Sequence, residues 1–232
     1  MPILECRDLS KHFGSVRALD GVSLSIEPGR VVGLLGPNGS GKTTLIKLIN
    51  GLLTPSSGEV LVEGAKPGPA SKALVAYLPD RDYLADWMTV EQQIRFFADF
   101  YADLDQEKAR EMMARLGIDP AQKFKTLSKG TREKVQLILV MSRKALLYLL
   151  DEPIGGVDPA ARDFILNTII RNYDPQAAVI ISTHLIADVE QLLDEVIFIN
   201  GGRILWHTSV DTIREETGKS VDALFREEFR CF

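Results

Sequence analysis

Residues 36–44 read GPNGSGKTT. The string contains G-x-x-x-x-G-K-[ST], and few stretches this short restrict a fold as much. Its glycines let the backbone curl until successive N–H groups point inward, where phosphate oxygens can sit. The helical pattern KTTLIKLINGLL that follows aims its N-terminus at the same anion. Lys42 has the reach for the terminal phosphates of a nucleotide, and the Thr43 hydroxyl suits Mg²⁺. The candidate nucleotide-binding residues are therefore Gly36, Pro37, Asn38, Gly39, Ser40, Gly41, Lys42, Thr43 and Thr44. A plain glycine-rich turn is the alternative, but such a string arises by chance in only about 1% of chains this long. The preceding RVVGLLG reads as a short buried strand, which is the context the motif requires.

Around this point the pattern is that of an α/β protein. ILECRDL and VSLSIE alternate apolar and polar residues, as antiparallel strands do. EVLVEG and ALVAYLP read as further strands. From about Thr89 to Leu116 the period turns helical, with Val90, Ile94, Phe97, Phe100 and Tyr101 on one stripe. A second helical stretch, about Arg132 to Arg143, carries Val135, Ile138, Leu139 and Met141. Strand and helix then alternate through LLYLLD, the segment after DPAARD, AVIIST, LIADVEQLL and EVIFIN. That order implies a mostly parallel sheet with helices packed on it. The helical middle, about 88–143, looks like an inserted subdomain. From Gly218 a short charged helix carries Val221, Leu224, Phe225 and Phe229, a stripe suited to docking on the rest of the chain.

Two further strand ends bear chemistry. LLYLLDE finishes in two acids, which an open α/β sheet presents at its carboxyl edge, where ligands bind. Asp151 suits Mg²⁺ held through water, and Glu152 suits a general base on an attacking water. Solvated acids capping a strand are common, but not downstream of a phosphate loop. VIISTH delivers His184 to the same edge, where it can donate a hydrogen bond to a γ-phosphate; a lone histidine is more often structural.

The formal net charge is −5 and the pI about 5.3. A broad basic face for nucleic acid is thus disfavoured. Cys6 and Cys231 stand at opposite ends without metal-ligand spacing, which fits a reducing compartment. The longest apolar run, ALLYLL, is far short of the roughly 20 residues that span a bilayer. The start, MPILECRDLSKHF, has charges where a secretory signal needs its apolar stretch. The expectation is a soluble protein that meets a membrane only through a partner.

With these pieces in this order, the chain resembles the nucleotide-binding subunit of an ABC transporter, over almost its whole length to about Thr217. The phosphate loop is followed by LSKGT, then LLYLLDEP, GGVDP and STH. The resemblance implies a P-loop NTPase fold: a RecA-like, mostly parallel sheet with an antiparallel β subdomain and an inserted helical one. A cassette over 1–217 and a helical tail over 218–232 follow from it. It implies ATP and Mg²⁺ as ligands and makes Phe13 the ring that stacks on adenine; a core phenylalanine is the alternative. Glu152 becomes the catalytic glutamate, His184 the switch histidine and Asp158 the acid of the loop that crosses between subunits. Leu127, Ser128 and Gly130 match the signature, whose Ser128 and Gly130 would face the ATP of a partner subunit. Asp80 falls where the family usually has a glutamine that ligands Mg²⁺; an aspartate also offers oxygen but is shorter and charged. Lys129 and Thr131 replace a glycine and a glutamine, and GGVD replaces Ser-Ala-Leu-Asp.

The resemblance implies an ATP hydrolase that dimerises, with itself or with another such subunit, and powers an integral-membrane permease from the cytoplasmic face. Asp80, LSKG and a short chain ending in FREEF resemble bacterial export-type subunits encoded apart from their membrane partners. Two other readings stand beside this one. A ribosomal or DNA-maintenance ABC protein would resemble two cassettes in one chain or carry long heptad insertions, and neither is present. A regulatory cassette that binds ATP and hardly turns it over is disfavoured by Lys42, Glu152 and His184, and kept open by Asp80 and Lys129.

Overall fold

In the computed structural model the described residues are 1–155 and 159–229, side chains excepted at 159–161. The chain opens with antiparallel β1 (Leu4–Phe13) and β2 (Val16–Ile26), then β3 (Val31–Leu35), α1 (Lys42–Ile49) and β4 (Ser57–Val62). A short α2 (Pro69–Leu74) leads into β5 (Val75–Leu78). The helical section holds α3 (Val90–Phe100), α4 (Gln106–Arg115) and α5 (Lys129–Met141). Next come β6 (Leu147–Asp151), α6 (Pro159–Asn172), β7 (Ala178–Thr183), α7 (Ile186–Val189), β8 (Glu195–Asn200) and β9 (Arg203–Ser209). The helices α8 (Val210–Thr217) and α9 (Val221–Glu228) end the described chain.

Two sheets result. One is three-stranded and antiparallel, in the order β2-β1-β4; the other is six-stranded, β5-β6-β7-β3-β8-β9. The larger sheet is parallel except for β9. Its strands read as unbroken apolar runs because both faces are covered. Val31, Tyr148, Leu150, Val179, Ile181 and Phe198 face the core beneath α5 to α9. Val32, Leu34, Leu149, Ile180 and Ile197 face the core shared with α1 and the antiparallel sheet. A third apolar cluster, around Ile94, Met113, Phe124 and Ile138, fills the helical section.

The expected strands and the parallel order are present. The single helical stretch over Thr89–Leu116 is instead two helices, because Tyr101–Asp105 turns the chain and Asp105 caps α4 by accepting from Lys108 N. Phe100 does not share the buried stripe: it is 69% exposed, and its ring lies 4.9 Å from Phe96. The helix expected from Arg132 begins earlier, at Lys129. Neither α2 nor β9 announces itself, since β9 alternates around a half-exposed edge and lacks a continuous apolar face. The terminal stripe docks inward: Val221 and Leu224 are buried, with Phe225 and Phe229 packed beside them. Burial pushes the Cys6 thiol up to about 12, and Cys231 lies outside the described residues. Among the described residues no helix is long and apolar enough to cross a membrane.

Candidate active site

Strand register builds the site. Leu35 pairs with Thr183, and Asp151 with Ser182. The residues that follow, Gly36, Glu152 and His184, therefore leave three neighbouring strands at one carboxyl edge.

The 36–44 loop is held by its glycines. A Cβ on Gly36 would stand 2.3 Å from the Ile199 carbonyl oxygen and 2.6 Å from Ser40 Oγ. Gly41 has φ +114°, and a Cβ there would meet the Ala18 carbonyl at 2.6 Å. Side chains at either place would pry the loop off β2 and β8. Among the described residues no side chain caps α1, whose first amides have no carbonyl partner within their own helix. The Ser40 hydroxyl is buried and has no partner among the described residues. Lys42 is 6% exposed, and its Nζ donates to the carbonyls of Gly36 at 2.7 Å and Pro37 at 3.2 Å. Glu152 Oε1 lies 3.6 Å from that nitrogen. Burial holds the Lys42 amine below the usual lysine range, against the pull of Glu152 and Asp151.

Asp151 is fully buried at the end of β6. Its Oδ1 accepts from Ser182 Oγ at 2.5 Å and Thr43 Oγ1 at 3.2 Å, while Oδ2 has no partner among the described residues. Burial raises its carboxyl above the usual range, Asp80 and Glu152 add to the rise, and the two hydroxyls oppose it.

Glu152 takes a left-handed backbone, φ +50°, which costs a non-glycine residue on the order of 1–3 kcal/mol. Its N–H is held by the Ser182 carbonyl at 3.0 Å and Ser182 Oγ at 3.1 Å. Gly155 N–H donates back to the Glu152 carbonyl at 3.0 Å. The turn aims the carboxylate at His184, with Oε2 3.0 Å from Nδ1. Ser182 thus supports both acids, and sequence reading missed it. The available signal was a hydroxyl two residues before His184, at the end of an otherwise apolar strand.

The remaining candidates stand further out. Phe13 ends β1 with 48% of its surface exposed and Lys11 Nζ 5.1 Å from its ring centre, so it is not a core residue. Asp80 follows β5 and lines a cavity of about 220 Å³ with Lys129, Arg132 and Glu152. Leu127 is buried and Ser128 exposed. Ser128 caps α5, accepting from Thr131 N–H at 3.2 Å, with its hydroxyl 2.8 Å from that of Thr131. Lys129 Nζ lies 3.8 Å from Glu133. Among the described residues nothing outside its own helical turn stands within 4 Å of where a Cβ on Gly130 would be. Asp158 lies outside the described residues.

A loop, a buried lysine and a hydroxyl–aspartate pair thus gather at one edge of the sheet. The family model described as ABC transporter matches residues 19–155. The chain belongs to that family. It is accordingly an ATP-hydrolysing cassette. The ABC transporter ATP-binding protein YtrB of Bacillus subtilis (strain 168) is 31% identical over 92% of this chain and 74% of its own length. The SkfA peptide export ATP-binding protein SkfE of the same organism is 32% identical over 93% of each chain. Among solved structures, the ATP-binding subunit of an ABC transporter superposes with a TM-score of 0.88 at 28% identity, over 97% of this cassette and 98% of that chain.

Proposed function

We propose that this cassette, paired with a second copy or a related subunit, closes around two MgATP and drives a membrane permease, in the export direction. The observation that carries the reading is the gathering of Lys42, Thr43, Asp151, Glu152 and His184 at one sheet edge. In it Lys42 Nζ exchanges the Gly36 and Pro37 carbonyls for terminal phosphate oxygens, which the 36–44 amides also hold. Ser40, buried without a partner, adds a donor. Phe13, exposed and flat, stacks on adenine.

Thr43 and Asp151, with Asp80 on the facing loop, fit a hard divalent cation: all offer oxygen, and Asp151 Oδ2 is buried with nothing to bind. Mg²⁺ held by these oxygens would neutralise charge that develops on the phosphate. Glu152 accepts the proton of the attacking water. Its carboxylate is oriented by His184, which also donates to the γ-phosphate.

Ser128 and Gly130 meet the ATP of the opposing subunit; the open space at Gly130 suits that approach, and Asp158 lies on the shared interface. The Asp80 loop passes motion to the permease, which holds the cassette on the cytoplasmic face of the membrane. The relative named for SkfA peptide export supports the direction. Nucleic acid has no place in this scheme.

Glu152→Gln tests it. The amide keeps shape and loses the basic oxygen, so hydrolysis should slow by roughly 10²–10⁴-fold. The ATP-bound protein should then run at dimer size in gel filtration. Near-normal turnover would remove Glu152 from the chemistry, and a monomer saturated with MgATP would overturn the closed dimer.

A further inference from the structure

The segment that carries His184 is anchored at its far end, beyond α7. Beyond the histidine the chain forms α7, whose Ile186 and Val189 are buried in the main core. Two carboxylates mark the end of that turn. Asp188 Oδ2 accepts from Arg162 Nη1 at 2.7 Å, tying the segment to α6. Glu190, with a side chain 12% exposed, accepts from the backbone N–H groups of Val221 at 3.1 Å and Asp222 at 3.3 Å. These are the first amides of α9, which no carbonyl of their own helix can satisfy. A carboxylate also suits the positive end of a helix. Arg214 of α8 lies 3.5 Å from the same carboxylate.

The other end of α9 is fixed as well. The rings of Phe225 and Phe229 lie 5.5 Å and 6.1 Å from Phe198. Phe198 sits on β8 directly opposite Leu35, the last residue before the phosphate loop. A helix that merely plugged the core would need Val221, Leu224 and the two phenylalanines. It has its own cap as well, since Ser220 Oγ accepts from Ala223 N–H. The additional clamp from Glu190 does something else: it joins the end of the His184 segment to a helix that packs on β8 beside Leu35, on the face of the sheet opposite α1.

We propose that Glu190 is a positioning residue for His184, and that α9 is the brace through which it acts. Held at Glu190 and Asp188, the short α7 fixes where the chain leaves β7 and so keeps the imidazole against Glu152. The C-terminal helix then sets turnover without touching nucleotide. This rests on the reading of His184 and Glu152 given above.

Steady-state hydrolysis by the full chain decides. Glu190→Ala should lower kcat about tenfold with the KM for MgATP unchanged, within the ~10²-fold that a misplacement of ~1 Å can cost. Glu190→Gln, whose amide oxygen still accepts from the α9 amides, should recover most of that loss. Phe229→Ala loosens α9 without altering residues 184–190 and should reproduce the kcat-only defect, which covers the case in which Glu190→Ala does not fold. Wild-type kcat in Glu190→Ala or in Phe229→Ala would overturn the proposal, as would a defect that Glu190→Gln shares in full. His184→Ala separates the two levels: wild-type turnover there would remove the histidine from the chemistry, whatever Glu190 does.

Discussion

Asp151 has one oxygen bonded twice and the other, among the described residues, not at all, and its environment ties stability to pH. Its carboxyl is held above the ordinary value of 3.8, chiefly by burial. Between 3.8 and that raised value the folded chain keeps a proton that the unfolded chain has lost. Stability therefore falls as pH climbs through the window. In nucleotide-free protein, Asp151→Asn should remove this part of the fall, seen as a melting temperature that gains on wild type across the window. Parallel curves would place the effect elsewhere. At this scale much of the site was legible. Lys42, Thr43, Asp151, Glu152 and His184 each follow or begin an element whose apolar pattern is unmistakable. The 3.0 Å contact between His184 and Glu152 was not legible, because it spans 32 positions and depends on one left-handed residue. Ser182 was missed because a hydroxyl inside a buried strand leaves no periodic mark.

Helix α5 shows how an element can serve two places. Its first residues follow Ser128, and two turns on, Gln136 is buried against the loop after β5. Gln136 Nε2 donates to Asp82 Oδ1 at 2.8 Å, and its Oε1 accepts from Tyr83 N–H at 3.1 Å. Arg132 adds a 2.9 Å ion pair to Asp82. Gln136→Met keeps the length and removes both bonds. It should cost about 1–2 kcal/mol, since a part-buried amide and carboxylate lose partners, measured as a lower urea midpoint. An unchanged midpoint would mean that the Asp80 loop stands without α5. None of this was visible beforehand, because glutamine in a helix reads as a solvated face. The same scale explains the other differences: α3 and α4 look continuous until Asp105 is seen to restart the helix, and β9 has only one half-covered face.

For the whole molecule, the mostly parallel sheet followed from the alternation of strand and helix patterns, whereas the relation between subunits does not follow from one chain. Mixing two defective chains addresses it. One carries Lys42→Ala, the other Ser128→Arg, and both carry Glu152→Gln. If LSKGT serves the opposite subunit, a mixed dimer has one site with both lesions and one intact. ATP should then be trapped by the mixture, near one per dimer, and by neither variant alone. Full trapping by the Ser128→Arg chain alone would sink the idea that LSKGT reads nucleotide. Gly130 has a related consequence. Glycine in a helix is worse than alanine by roughly 0.5 kcal/mol or more, and among the described residues outside its own helical turn nothing comes within 4 Å of where a Cβ on Gly130 would stand. Gly130→Ala should therefore raise the melting temperature of the solitary protein while slowing its hydrolysis. A sequence tuned for durability in isolation would differ at this position from one tuned for work in company, and on the reading proposed above glycine is the residue that leaves room for a neighbour.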